Sequence, residues 1–350
     1  MRQVEKIRNI RGMIRFRAIL TVALASTTAF GFDPAQQYDS LALVRHFKPR
    51  PDPVELPTEQ GLVCDQTGLT VSLMGGADVF RMQEFGYFEA MLQTAFPDQE
   101  IRVRNLGWSS DTVFRQQRPM FFYTEKGDTR EGSIPDGRDK IDPGVFILSF
   151  GKMESLNGLD ALADFEAAYD RLIGELQKLS KRIVVVQPVP FAKVGPAARL
   201  TEERNVVLAK YSEVIESVAE RRGVKNCPQQ SMPQGAFEKT GIHLSSVGMH
   251  GWASWVLAAI NGRRLECPVG KDDSNHEDLL TAILEKNHLW DQYYRPTNWA
   301  FLYGDRQQVP SSRDHKNPEK RWFEEELKLY PALIAEKEKE IWKLAKGGGR

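Results

Sequence analysis

The chain has 350 residues, 41% of them hydrophobic, with 47 basic and 47 acidic side chains and therefore no formal net charge. That length supports one sizeable core with extensions, and the even charge excludes a basic nucleic-acid binder or a partner of anionic membranes. The three cysteines, Cys64, Cys227 and Cys267, are far apart and lack metal-ligand spacing. In an exported chain one pair can form a disulfide and leave a thiol, or all three can stay buried and unpaired.

The first 31 residues differ from the rest. Arg2, Lys6, Arg8, Arg11, Arg15 and Arg17 precede an apolar stretch from Ala18 to Ala25, then small residues up to Gly31. A charged start, a short apolar run and a small-residue exit describe a secretory signal peptide. The run is too short to span a bilayer; an uncleaved anchor is the alternative, and a start at Met13 gives a more ordinary charged region. Without residues 1–31 the chain carries 41 basic and 46 acidic side chains, a formal charge of −5. The expected address is secreted or periplasmic, with no stable membrane insertion after cleavage.

Residues 32–66 are polar and proline-rich (Pro49, Pro51, Pro53, Pro57), which predicts an extended leader. Residues 67–269 read as the main domain. Gly68–Met74, Glu100–Leu106, Val145–Phe150 and Ile183–Pro190 are predicted strands, and Val224–Gln229 a fifth of poor strand composition. Helical spacing recurs over Met82–Phe96, Leu159–Leu179, Thr201–Arg221 and Ser245–Ile260. Strands alternating with helices predict a three-layer α/β/α sandwich with a mostly parallel sheet. Residues 115–143 form a long polar loop. Residues 270–350 read as a C-terminal helical extension: Ser274 and Glu277 make a capping box, aromatic residues follow, and Glu319–Lys346 is a charged helical end broken at Pro331.

Four segments fall where an open α/β sheet places its chemistry: Met74-Gly75-Gly76-Ala77, Asn105-Leu106-Gly107-Trp108, Phe150-Gly151-Lys152-Met153-Glu154-Ser155 and Thr240-Gly241-Ile242-His243. In order and spacing they resemble the blocks of the SGNH hydrolases, the GDSL-type esterase superfamily. The closest likeness is to a secreted bacterial branch with "YGYFE", "RNLGWSGDT" and a C-terminal "RPTN…LYG". Here these read Phe85-Gly86-Tyr87-Phe88-Glu89, Arg104 to Thr112, and Arg295-Pro296-Thr297-Asn298 followed by Leu302-Tyr303-Gly304. The resemblance covers roughly residues 68–345.

The resemblance implies the SGNH-like sandwich and ester hydrolysis on a carbohydrate or other polar substrate, without a cofactor. It also implies a serine nucleophile, an oxyanion hole from backbone amides and an asparagine, and a histidine base oriented by an aspartate. Gly107 stands at the oxyanion glycine and His243 at the base. The nucleophile position is Ala77, the oxyanion asparagine position is Met153, and the aspartate position is Thr240. Loss of the nucleophile costs about 10⁶ in rate in a serine protease, so the acyl-enzyme route is expected to be weakened or absent and enzymatic status stays open. Ser109, Ser110 and Ser155 are alternative hydroxyls. Asp78 is either a carboxylate beside His243, a stand-in for the serine, or an N-cap of the helix that follows. His243 can activate water directly or serve structurally. Trp108, Asp111 and Glu154 are expected to shape a polar substrate pocket. The alternative to hydrolysis is a non-catalytic module holding a glycan or a partner; a third is a structural exported protein whose aromatic tail makes a contact. The six scattered histidines predict no metal site.

Overall fold

The apolar runs become the strands of one parallel sheet: β1 (Thr70–Gly75), β2 (Arg102–Asn105), β3 (Val145–Ser149), β4 (Ile183–Val186) and β5 (Lys225–Cys227), in the order β2-β1-β3-β4-β5. The structure, a computed structural model, describes residues 38–39, 41–56, 61, 66–117, 140–196, 198–262, 265, 274–302, 306 and 308–347. Residues 1–31, where a signal peptide is expected, Cys64, Cys267 and most of the long loop (118–139) lie outside the described residues. β5 forms despite its polar sequence because it is an edge strand. It pairs only with β4, from Val184↔Lys225 to Val186↔Cys227, and buries only Cys227 fully.

Side chains alternate along the strands and so build two cores. Met74, Leu106, Phe146, Leu148 and Val185 face α3 (Leu162–Gln177) and α4 (Thr201–Arg222). Val71, Leu73, Val103, Ile147 and Val184 face α2 (Tyr87–Ala95) and α5 (Ser246–Asn261). This is the expected three-layer sandwich. The helix expected over Met82–Phe96 is divided: α1 (Ala77–Arg81) and a 3₁₀ turn (Met82–Glu84) precede α2, and Gly86 at φ +67° makes the break.

The segment expected as an extended leader is, over its described part, built into the domain. Residues 42–46 form a 3₁₀ turn, Leu43 and Phe47 are buried in the core that faces α3, and Phe47 and Val54 bridge to Ile141 and Ser180. Tyr38–Asp39 pairs antiparallel with Gln116–Gln117. Two apolar anchors, Leu43 and Phe47, outweigh the prolines around them.

The C-terminal helices are likewise integral. α6 (Ser274–Tyr294) and α9 (Tyr330–Gly347) pack together and against α2, with α7 (Trp299–Leu302) and α8 (Trp322–Leu327) between them. Pro331 lies in the first turn of α9, where its missing N–H costs nothing; the helical break precedes it. α6 and α9 cover the edge of the sheet at β2, where alternate backbone carbonyls point outward. The carbonyl of Ile101, just before β2, accepts from Trp342 Nε1 (3.1 Å), that of Val103 from Lys286 Nζ (3.3 Å) and that of Asn105 from Trp290 Nε1 (2.8 Å). The edge is thereby closed to strand addition. Beneath it Lys286 Nζ and Glu89 Oε2 form a buried pair at 2.6 Å. Among the described residues no helix is long and apolar enough to cross a membrane.

Candidate functional site

The sheet order makes the C-terminal ends of β1 and β3 the point where the connections diverge, the place where an open α/β sheet positions its chemistry. α1 starts directly after β1 and carries Ala77 at its first position and Asp78 at its second. The turn after β3 carries Lys152 and Met153, and a hairpin before α5 carries His243. That hairpin is held by Glu238 N–H to His243 O (3.0 Å) and Ser245 N–H to Ala236 O (2.9 Å). Arg81 of α1 pairs with Glu238 at 2.6 Å, which ties the hairpin to the helix bearing Asp78.

Three charged or titratable groups meet there. His243 Nδ1 lies 3.5 Å from Asp78 Oδ1, and Lys152 Nζ lies 3.2 Å from Asp78 Oδ2. Lys152 also donates to the carbonyl of Ile242 (2.6 Å) and sits over the rings of Phe191 and Phe237, at 5.3 and 5.9 Å from their centroids. Burial raises the pKa of Asp78, but the Lys152 ammonium and the bonds from His243 and Lys152 outweigh it and hold the carboxyl below its usual range. Asp78 is therefore the carboxylate beside His243 and makes no side-chain capping bond on α1, whose cap position is Gly76.

Thr240 does not play the aspartate's part. It is exposed, and its Oγ1 accepts the N–H of Ile242 at 3.4 Å. Ala77, where the resemblance leads one to expect the nucleophile, carries only a methyl group. Met153 is 43% exposed and points to solvent rather than toward a ligand oxygen it has no N–H to hold.

The Gly107 amide, expected as an oxyanion donor, is already used: it donates to Asn105 Oδ1 at 2.9 Å, while Asn105 Nδ2 donates to Val79 O at 2.6 Å. Glycine is required here by contact, since a Cβ would stand 2.6 Å from the Phe80 nitrogen and 2.9 Å from Val79 Cγ1. Arg295, from the Arg-Pro-Thr-Asn segment, donates through Nε to Gly107 O (3.1 Å) and through Nη2 to Asn105 O (3.1 Å). Its guanidinium also lies against Tyr294 at 4.7 Å and Phe80 at 5.1 Å.

Trp108, Asp111 and Glu154 are the residues expected to shape a polar pocket. Trp108 packs edge-on against Tyr294 with centroids 5.8 Å apart. Asp111 and Glu154 are buried. Both oxygens of Glu154 accept backbone N–H bonds, from Val113 and Gly151, each at 2.8 Å. Burial pushes the Glu154 carboxyl upward while these amides pull against it, and Asp111 adds repulsion. Glu154 thus ties the turn after β3 to the loop after β2. Of the alternative hydroxyls, Ser155 is buried and donates to Lys152 O at 2.8 Å, and Ser109 and Ser110 lie exposed on a turn.

Sequence reasoning passed over Lys152. It lies in one of the four segments that carry the expected resemblance, but the resemblance assigns no role to a lysine there. Among the described residues no three histidines, cysteines or carboxylates gather as a metal site. Cys227 is buried, and burial pushes its thiol up to about 12, out of reach of thiolate chemistry.

No protein-family profile matches the chain, and no curated protein matches it. Among solved structures, a catalytic mutant of Axe2, an acetylxylan esterase from Geobacillus stearothermophilus, is similar at 17% identity, over 56% of this chain and 95% of that one, with a TM-score of 0.40. A second variant of that esterase is similar at 18% identity, over 57% and 98% of the two chains, with a TM-score of 0.41. LAE5, an alpha/beta hydrolase enzyme from the metagenome of Lake Arreo, Spain, is similar at 16% identity over 57% and 98%, with a TM-score of 0.41.

Proposed function

We propose that this chain is an exported, SGNH-type ester-hydrolase-like protein in which the serine route is lost and the remaining chemistry is general-base chemistry by His243. The observation that carries the reading is the 3.5 Å approach of His243 Nδ1 to Asp78 Oδ1. A carboxylate at that nitrogen orients the ring, the role an aspartate plays in a triad. Here the carboxylate comes from the residue after the missing serine instead of the residue three before the histidine.

In this reading His243 Nε2 takes a proton from water and the hydroxide attacks the ester carbonyl. The tetrahedral intermediate expels the alcohol, which leaves with the proton from His243, giving acid plus alcohol. Two of the three Lys152 N–H donors are spent on Asp78 and Ile242, and the third is available to the developing oxyanion. The substrate class is an acyl group on a carbohydrate or other polar alcohol. The export signal read in residues 1–31 supports an address outside the cytoplasm.

The test is hydrolysis of a short activated acetyl ester by the purified protein beside His243→Ala and Asp78→Asn. The reading requires activity that both substitutions reduce by at least about 10²-fold, as general-base catalysis implies. Equal background rates in all three proteins defeat it. A second reading, a non-catalytic module that holds a ligand at the same site, is favoured by one observation: the Gly107 amide is bonded to Asn105.

A further inference from the structure

The hairpin that carries His243 meets α1 at two points. Asp78 and Arg81 stand three residues apart on α1 and therefore on one side of it. Asp78 Oδ1 lies 3.5 Å from His243 Nδ1, and Arg81 Nη2 donates to Glu238 Oε1 at 2.6 Å. On the hairpin, Glu238 and His243 are opposite each other. Glu238 N–H donates to His243 O at 3.0 Å, and the adjoining residues Phe237 and Leu244 form an antiparallel bridge. Cross-strand partners present their side chains on the same face. The turn between them is closed by Gly241 N–H to Glu238 O at 2.9 Å. Two residues one helical turn apart thus face two cross-strand partners, acid to imidazole and guanidinium to acid.

The second contact is partly withdrawn from water. The Arg81 and Glu238 side chains are 19% and 36% exposed, whereas Glu84, the other carboxylate beside Arg81, is 47% exposed and 3.4 Å away. The Arg81 bond is the main cause that holds the Glu238 carboxyl below its usual range. Other supports reach the hairpin from elsewhere. Lys152, on the turn after β3, holds Ile242 O at 2.6 Å, and Ala192, beyond β4, donates to Gly241 O at 3.0 Å. Those bonds fix the hairpin tip relative to the sheet, while Arg81 fixes it relative to the helix that bears Asp78. We propose that Arg81 and Glu238 are positioning residues for His243: their ion pair seats the hairpin on α1 so that ring Nδ1 points at Asp78 and Nε2 is left as the base. The inference rests on the reading of Asp78 and His243 as a carboxylate–histidine pair and adds what keeps that pair in register. A displacement of about 1 Å at such a pair costs about 10²-fold in rate.

The test reads the tautomer of the His243 ring. Long-range ¹H–¹⁵N correlation on ¹⁵N-labelled protein gives the shifts of both ring nitrogens, and His243→Ala identifies the His243 signals among the six histidines. Spectra are taken on the neutral form of the ring, on the alkaline side of its titration. The wild type is expected to be mostly the Nδ1–H tautomer, since Asp78 accepts from that nitrogen. R81M and E238Q change partly exposed side chains outside both cores, and urea midpoints check that each is folded. Both are expected to shift the majority to Nε2–H, and the reversed pair R81E with E238R to return it. A shift in D78N but not in R81M or E238Q leaves the Asp78–His243 pair standing and overturns the positioning role. So does a shift in the single variants that the reversed pair fails to undo. A ring that keeps its tautomer in D78N as well removes the pair itself and both readings with it. In parallel, kcat for the activated acetyl ester is expected to fall about 10²-fold in R81M and E238Q with KM little changed. The expected tautomer shifts without any hydrolysis uphold the positioning role and defeat the hydrolytic reading.

Discussion

Lys152 Nζ stands 3.2 Å from Asp78 Oδ2, joining the turn after β3 to the helix after β1. The same ammonium holds the carbonyl of Ile242, the residue before His243. One lysine therefore fixes both members of the carboxylate–histidine pair. Lys152→Met is expected to lower any ester hydrolysis and loosen the approach of Asp78 to His243. The measurement is the His243 imidazole titration by NMR: a curve identical to wild type would mean that Lys152 does not set the pair.

Asp78 gives a pH dependence of definite sign. Its carboxyl is held below the unfolded value by Lys152 and His243 against the opposing effect of burial. A depressed folded-state pKa stabilises the protein above the unfolded carboxyl's pKa, and that contribution is lost as pH falls through the folded value. Asp78→Asn should therefore be less stable than wild type at pH 7, with the gap closing in acid. Urea denaturation at pH 7 and at about pH 3 reads this; a gap that widens in acid contradicts the assignment.

The Glu89–Lys286 pair makes a second energetic prediction. Both side chains are buried, and burial raises the Glu89 pKa despite the lysine. Lys286→Met leaves a buried carboxyl unpaired and should cost about 3–5 kcal/mol. A group whose folded pKa is raised favours folding below its unfolded pKa and loses that advantage as pH rises through the folded one. The variant should accordingly regain stability on acidification, and Glu89→Leu combined with Lys286→Met should recover much of the loss. Additive losses in the double variant would argue against the pairing.

Glu154→Gln replaces a two-sided acceptor with an amide that must aim an NH₂ at a backbone N–H. Either the Val113 or the Gly151 bond is lost. The expected cost is about 1–3 kcal/mol, read as a lower urea midpoint. A neutral result would show that the clamp between the two loops contributes nothing.

Deleting residues 274–350 uncovers the carbonyls of Ile101, Val103 and Asn105 at the β2 edge. The truncated protein should self-associate, because an unpaired strand edge recruits another. Size-exclusion chromatography that finds a stable monomer would refute the role of the extension as an edge cap.

The strands and packing helices were legible because their signal is local. Val145 to Leu148 and Ile183 to Val186 are continuous apolar runs, and α3 repeats Phe165, Tyr169, Leu172 and Leu176 at helical spacing. β5 was the least legible strand, since an edge strand needs few apolar residues and Lys225-Asn226-Cys227 has one. The strap over residues 41–56 was hidden by its prolines, because two buried residues, Leu43 and Phe47, create no periodicity.

At the site, the sequence by itself determined which groups the residues carry: Ala77 has no hydroxyl, Met153 no amide and Thr240 no carboxylate. Those are statements about composition at aligned positions and need no coordinates. Which charged groups meet there was decided only by tertiary structure. Asp78, Lys152 and His243 are separated by 74 and 91 residues along the chain, and they meet because β1 and β3 are neighbours in a parallel sheet and a hairpin folds back over their ends. The Gly107 amide was likewise identifiable as a donor from the sequence, but its bond to Asn105 depends on how the turn after β2 closes. Local pattern records which groups a residue carries; only packing across the sheet sets which of them face each other.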